Sequence, residues 1–184
     1  MVKNVIDLIE FSVKLKNIPR SGWLKRGVSG ESVAEHSFCT AFISMVLCDL
    51  IRKAGKEIDV ERTLKISILH DITESLLLDL DDVSTKLIGE ENKKMAELKA
   101  ASQILNIFDY KNLWYEFHKN ETIESKIVKC ADQLELLFQA LEFRKRGYSS
   151  EVLDDLWEKV ELDIKEANEL FILLKEIWSS RRKI

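Results

Sequence analysis

A chain of 184 residues, 46% hydrophobic and 33% charged, has enough apolar content to bury about 70% of its unfolded surface, which excludes disorder and the small disulfide-stapled scaffolds. Six Gly and one Pro are too few for the many reversals of a sandwich or barrel, so long helices are expected and an all-β fold is not. The net charge of −4 opposes binding to a nucleic-acid polymer, which needs a broad cationic face.

No apolar stretch approaches the ~20 residues of a membrane helix, and the charged start MVKNVIDLIE is unlike a signal peptide, so a cytoplasmic protein with no membrane partner is expected. Cys39, Cys48 and Cys130 are odd in number and form no CxxC pair. They read as buried small hydrophobes rather than as a disulfide framework or a zinc site.

In chain order, residues 3–16 place Ile6, Ile9 and Val13 on one stripe and predict an amphipathic helix ending before Pro19. The loop 17–30 holds Pro19, Gly22, Gly27 and Gly30. From Phe11 to Gly30 there are five cations (Lys14, Lys16, Arg20, Lys25, Arg26) and no acid, a basic stretch in an acidic protein. From about Glu31 to Ala54 the pattern is continuously helical and apolar on most faces, predicting a central helix deep in the core. Asp59 caps a third helix through about Leu77, the pattern resumes near 90–105, and a shorter Trp-bearing piece covers 110–118. Helices at about 121–146 and 150–180 close the chain, giving an all-α single domain of six or seven helices over residues 1–184.

Only three histidines occur. His70 and Asp71 are adjacent, so their side chains diverge by about 100° on a helix and meet at one ion only where another helix supplies further ligands. Glu74 lies four residues after His70 and three after Asp71, on the face between them. His36 falls on the inward stripe Val33, His36, Thr40, Ile43, Leu47. Asp132 sits between Val128 and Leu136 on another apolar stripe, where an isolated carboxylate would cost several kcal/mol without a partner. Taken singly, each has an ordinary alternative: a helix-end hydrogen bond, a satisfied core histidine, a buried ion pair. Together they form a mixed N/O set suited to Mn²⁺, Co²⁺, Fe²⁺ or Zn²⁺. His118, in the polar segment EFHKNE, reads as a solvated surface residue with no role.

The set resembles the motif of the HD-domain phosphohydrolases, one His, then a His-Asp doublet, then a distant Asp, here His36, His70-Asp71 and Asp132. The runs LKNIPRSGWLKRGVSGESVAEHS, LHDITESLLLD and LWYEFHKNETIESKIVKCADQLE are similar to the 5′-deoxynucleotidase branch, over roughly residues 5–150. That resemblance implies an all-α HD-domain bundle, one divalent cation (Mn²⁺ or Co²⁺ ahead of Zn²⁺, Fe²⁺ or Mg²⁺) held by His36, His70, Asp71 and Asp132, and a homodimer. It also implies hydrolysis of deoxyribonucleoside 5′-monophosphates.

The family's two acids map onto Glu74 and Asp79, its arginine onto Arg20 or Arg26, its neighbouring tryptophan onto Trp23, and the serine after the first metal histidine onto Ser37. The chain departs from the family's Gly-Asp-Leu/Ile-Pro turn, reading Leu78-Asp79-Leu80-Asp81 instead.

Chemically, four protein ligands leave about two positions of an octahedral ion for water and a phosphate oxygen, and an arginine from the basic loop would neutralise the remaining phosphate charge. The expected division of labour is Arg20 on phosphate, Glu74 positioning the nucleophile, and Asp79 protonating the leaving group. Trp23 would wall off the ribose 2′-hydroxyl, unless it simply packs. Two other readings compete: an HD hydrolase of a triphosphate or signalling nucleotide, and a non-catalytic helical module stapled by its metal. The C-terminal apolar residues Leu153, Leu156, Val160, Ile164, Ala167, Phe171 and Leu174 would bury either against a second subunit or against their own domain.

Overall fold

The structure, a computed structural model, describes residues 2–158 and 160–180, so the expected span 1–184 extends past the described residues at both ends. Helix α1 (Val2–Lys14) runs into a 3₁₀ turn at Leu15–Asn17. The basic loop that follows is closed at its base by backbone bonds, Arg20 N–H to Glu31 C=O at 3.0 Å and Val33 N–H to Ile18 C=O at 2.8 Å. It carries the short helix α2 (Ser21–Leu24).

Helix α3 (Val33–Lys53) starts from a capping box. Ser32 Oγ accepts from the Glu35 N–H, and Glu35 accepts from the Ser32 N–H at 2.7 Å. Asp59 caps α4 (Val60–Leu69), accepting from the Arg62 N–H. There follow α5 (Glu74–Leu77), α6 (Asp82–Ile88, capped by Asp81), α7 (Glu90–Ile104), α8 (Tyr110–Lys119), α9 (Ile123–Lys145, capped by Thr122) and α10 (Lys165–Ser180). Among the described residues there is no strand beyond the isolated bridge Pro19–Ser32, and the helices of ten residues or more are α1, α3, α4, α7, α8, α9 and α10, as an all-α reading expects.

Helices α3, α4 and α9 pack against one another and divide the core in two. One half gathers Leu47, Ile51, Leu134, Leu137, Leu153 and Trp178, and the other Val33, Ile66, Leu105, Trp114, Phe117 and Val128. The functional side chains sit along the seam where these three helices meet.

Several expectations are corrected. Helix α3 is not deep on all sides: Phe38, Phe42, Met45 and Val46 are exposed, and Cys39 beside them is exposed as well. The same helix, 21 residues long, does meet the length and composition of a membrane crossing, contrary to the reading that no stretch approaches it, while its inward stripe packs on α4 and α9.

The third helix does not run to Leu77. It ends at Leu69, and the chain tightens into i→i−3 bonds, Ile72 N–H to Leu69 C=O and Glu74 N–H to Asp71 C=O, before α5 begins. Nor is 150–180 one helix. Two 3₁₀ turns (Ser150–Val152 and Asp154–Trp157) precede a non-helical stretch at 160–164. Gln133 on α9 brackets that stretch, donating to Glu161 C=O at 2.8 Å and accepting from Glu161 N–H at 2.9 Å. These tertiary bonds replace a helical ladder, and the turn lets Leu153, Leu156 and Trp157 enter the core. The C-terminal apolar residues therefore cover their own domain rather than a partner.

Candidate metal centre and active site

His36 rises from the first turn of α3, His70 and Asp71 occupy the turn after α4, and Asp132 comes from the middle of α9. Four side chains from three chain segments that are distant in sequence thus converge on one point. His36 Nε2 lies 3.1 Å from Asp132 Oδ1, 3.3 Å from His70 Nε2 and 3.5 Å from Asp71 Oδ2, and His70 Nε2 is 3.1 Å from Asp71 Oδ2.

The tautomers follow from the partners. His70 Nδ1 sits 2.6 Å from Ser67 C=O, which can only accept, so Nδ1 carries the proton. His36 Nδ1 sits 2.7 Å from Glu135 Oε2 and donates likewise. Both Nε2 lone pairs therefore face each other and two carboxylate oxygens inside a buried space. Ligands about 2.1 Å from a common ion, at right angles, stand about 3 Å apart, which is the spacing seen. The donor set fits a divalent cation.

Without an ion, a proton takes its place between His36 and its partners. Burial and the Arg20 charge press the His36 pKa down, yet hydrogen bonds with Asp132 and Glu135 outweigh them and raise it to about 10. Burial opposes ionisation of Asp132, but its hydrogen bond with His36 and the histidine charges bring it down to about 2. Burial likewise opposes ionisation of Asp71, and His70, then Arg20, hold it well below the usual carboxylate range. A cluster that binds a proton this strongly is one that positive charge suits.

Arg20 stands at the edge of the cluster, its Nη1 3.4 Å from Asp71, 3.5 Å from Asp79 and 3.9 Å from Glu74. Arg26, the other possible phosphate arginine, is elsewhere: it pairs with Asp155 at 2.7 Å and caps Gly22 C=O. Glu74 is pushed well above the ordinary carboxylate value by burial and then by the charges of Asp71 and Asp79, and its Oε2 is buried without a partner. Asp79, in contrast, accepts from the Ser21 N–H at 2.8 Å at the start of α2. The unusual Leu78-Asp79 turn is made by Leu78 in a left-handed conformation, φ 65°, doing what a glycine would do without strain. A cavity of about 200 Å³ opens beside Arg20 and Asp79, with Trp23 and Leu136 also lining it.

Two expected residues lie outside the ion cluster itself. Trp23 is almost fully buried, packs edge-on against Phe143 at 5.1 Å, and donates its indole N–H to Glu31. Ser37 points away from the cluster, lining an apolar groove with its hydroxyl buried and unpartnered. His118 is exposed, its ring 3.9 Å from that of Trp114.

Sequence reasoning passes over Glu135 and Glu31. Both are buried, both lie within 4.8 Å of His36 ligand atoms, and burial together with the Glu135 charge pushes Glu31 up to about 8. The one signal for Glu135 is spacing, since it follows Asp132 by three residues and shares its face.

The chain is similar to known proteins over nearly its whole length. The HD domain family matches residues 12–170. The fold is similar to that of a conserved hypothetical protein from Pyrococcus furiosus, with a TM-score of 0.82 at 39% identity, covering 93% of this chain and 99% of that one. In sequence the chain is 33% identical over 162 residues to 5′-deoxynucleotidase HDDC2 of Dictyostelium discoideum, covering 82% of this chain and 83% of the relative. It is 28% identical over 154 residues to 5′-deoxynucleotidase hdd1 of Schizosaccharomyces pombe, covering 78% and 74%.

Proposed function

The chain belongs to the HD-domain family, and on that premise we propose that it is a metal-dependent 5′-deoxynucleotidase, hydrolysing deoxyribonucleoside 5′-monophosphates to deoxynucleoside and phosphate. The observation that carries this reading is the meeting of two imidazole lone pairs and two carboxylates with a guanidinium and a protonatable acid at their edge. A structural staple needs only the first four. Arg20 and Glu74 favour catalysis over the non-catalytic alternative, and a single arginine beside the cluster suits one phosphate group better than three.

His36, His70, Asp71 and Asp132 would hold one divalent ion, for which two nitrogens and two oxygens suit Mn²⁺, Co²⁺, Fe²⁺ or Zn²⁺, and the family resemblance puts Mn²⁺ or Co²⁺ first. When bound, that ion supplies an activated water and charge neutralisation at phosphorus. Arg20 binds and orients the phosphate, its charge secured by Asp71, Asp79 and Glu74. Glu74 holds a proton next to the reacting group and delivers it to the departing 5′-oxygen. Asp79, engaged by Ser21 and Arg20, keeps the arginine aimed. This reverses the expected roles of the two acids, because Glu74 alone combines a raised affinity for a proton with an unpartnered oxygen. Trp23 holds the loop from behind through Glu31 and Phe143, and shapes the small cavity where the sugar fits. We place the enzyme in the cytoplasm and read it as a homodimer.

The test is phosphate release from dAMP, AMP, dATP and a phosphodiester, each with EDTA and with Mn²⁺, Co²⁺ or Mg²⁺. Metal-dependent release from dAMP well above the other three is expected. Equal cleavage of AMP removes the sugar selectivity, and faster cleavage of dATP or the diester overturns the assignment.

A further inference from the structure

His36 and His70 meet the same requirement in different ways. Each must keep a proton on Nδ1 so that Nε2 faces the cluster with a lone pair. His70 does this through a backbone carbonyl one turn earlier on its own helix, Ser67 C=O. His36 uses the side chain of Glu135, a residue 99 positions away on α9 and one turn beyond Asp132.

Glu135 is out of place in its surroundings. Its side chain is 3% exposed and that of His36 is 1% exposed. Its neighbours along α9, Ala131, Leu134 and Leu137, are fully buried hydrophobics. A carboxylate in such a position costs more to bury than an apolar residue of similar volume. Stability alone does not account for it.

We propose that Glu135 is the positioning residue of the metal centre: it accepts the hydrogen bond from the Nδ1–H of His36, fixes the ring with Nε2 toward the ion, and makes that nitrogen a stronger ligand. The same carboxylate reaches further. Glu31 lies beside Glu135 and accepts from the Trp23 indole, while its own backbone carbonyl accepts from the Arg20 N–H at 3.0 Å. The series His36, Glu135, Glu31, Trp23 therefore joins a metal ligand to the loop that presents the phosphate-binding arginine. This inference rests on the metal-centre reading above.

The experiment is titration of the metal-free protein with Co²⁺, followed by the visible ligand-field bands, with thermal unfolding of each metal-free variant recorded in parallel. Glu135→Gln keeps an acceptor for Nδ1 but loses the charge, and is expected to weaken Co²⁺ binding about tenfold. Glu135→Leu removes the acceptor and is expected to weaken it about 100-fold with altered bands, while the metal-free variant unfolds at the wild-type temperature or above. If Glu135→Leu fails to fold, Glu135→Gln decides. Co²⁺ uptake by the wild type that survives in the folded variants within twofold, with unchanged bands, overturns the proposal and leaves the metal centre standing. No uptake by the wild type overturns both.

Discussion

The backbone N–H of Ser21 donates to Asp79 Oδ2 at 2.8 Å, so a carboxylate from the turn after α5 holds the start of α2 and, with it, Arg20. An acid committed in this way is an anchor. Asp79→Ala should release the loop and lower kcat/KM for dAMP about 100-fold, the scale of an ångström of misplacement. Asp79→Asn, which still offers an oxygen to Ser21, should retain most of the activity. If the two variants are equally inactive in phosphate release, Asp79 is the proton donor after all.

Glu74 carries the complementary prediction. Burial comes first in raising its affinity for a proton, with Asp71 and Asp79 adding to it. A group that works protonated loses its effect as pH rises through its folded-state pKa, so kcat should fall on the alkaline side. Glu74→Gln should lower kcat by about 10² to 10⁴ and abolish that alkaline limb. The sign for stability is the same: a carboxylate whose pKa is raised on folding favours the fold at low pH and gives up that contribution as pH rises through the raised value. Co²⁺ affinity should be unchanged in the variant, which separates a proton donor from a ligand.

Much of this site is legible in the sequence, because His36 and Asp132 are ionisable residues on largely apolar stripes, and such residues need a partner. Glu135 escapes notice, since an acid between Leu134 and Leu136 on a long helix looks like a solvated charge until the packing of α3 on α9 buries it. The helix boundaries at Leu69 and before Lys165 escape for a related reason. Neither contains Gly or Pro, and what ends the helical ladder is tertiary: the convergence of His70 and Asp71 on the cluster, and Gln133 reaching across to Glu161. Arg20 and Arg26 cannot be told apart by composition, and only the pairing of Arg26 with Asp155 separates them.

Away from the site, Glu116 gives a stability prediction with a defined pH sense. Burial opposes its ionisation, but hydrogen bonds from Arg62 and Thr122 prevail and lower its pKa. A depressed carboxylate contributes stability above its unfolded value of about 4.3, and loses it as pH falls through the folded value. Arg62 is substantially exposed, so screening limits the effect, and Glu116→Gln should cost about 1 kcal/mol at pH 7. Urea unfolding at pH 7 and at pH 3 should show that difference shrinking in acid. A constant difference would mean that the charge of Glu116 contributes nothing.

The homodimer reading places its interface on the exposed flank of α3 rather than on the C-terminal helix, whose face bearing Ala167, Phe171, Leu174 and Trp178 already packs on its own domain. Ile9, Phe38, Phe42 and Ile68 surround a groove of about 670 Å³ between α1, α3 and α4, and are 56%, 71%, 55% and 59% exposed. With side chains of about 200 Å² each, they present about 480 Å² of apolar surface, as much as the functional patches of monomeric proteins. Two copies meeting through this face would bury about 960 Å² of apolar area. At the roughly 60% apolar share of subunit interfaces, that gives about 1,600 Å² in all, within the range of stable complexes. Sedimentation should therefore show the wild type at twice the chain mass, and Phe42→Glu with Ile68→Glu should yield a monomer whose Co²⁺ affinity is unchanged, since neither residue touches the cluster. A wild type that sediments as a monomer at 100 times the assay concentration, or a double variant that remains paired, would refute this placement.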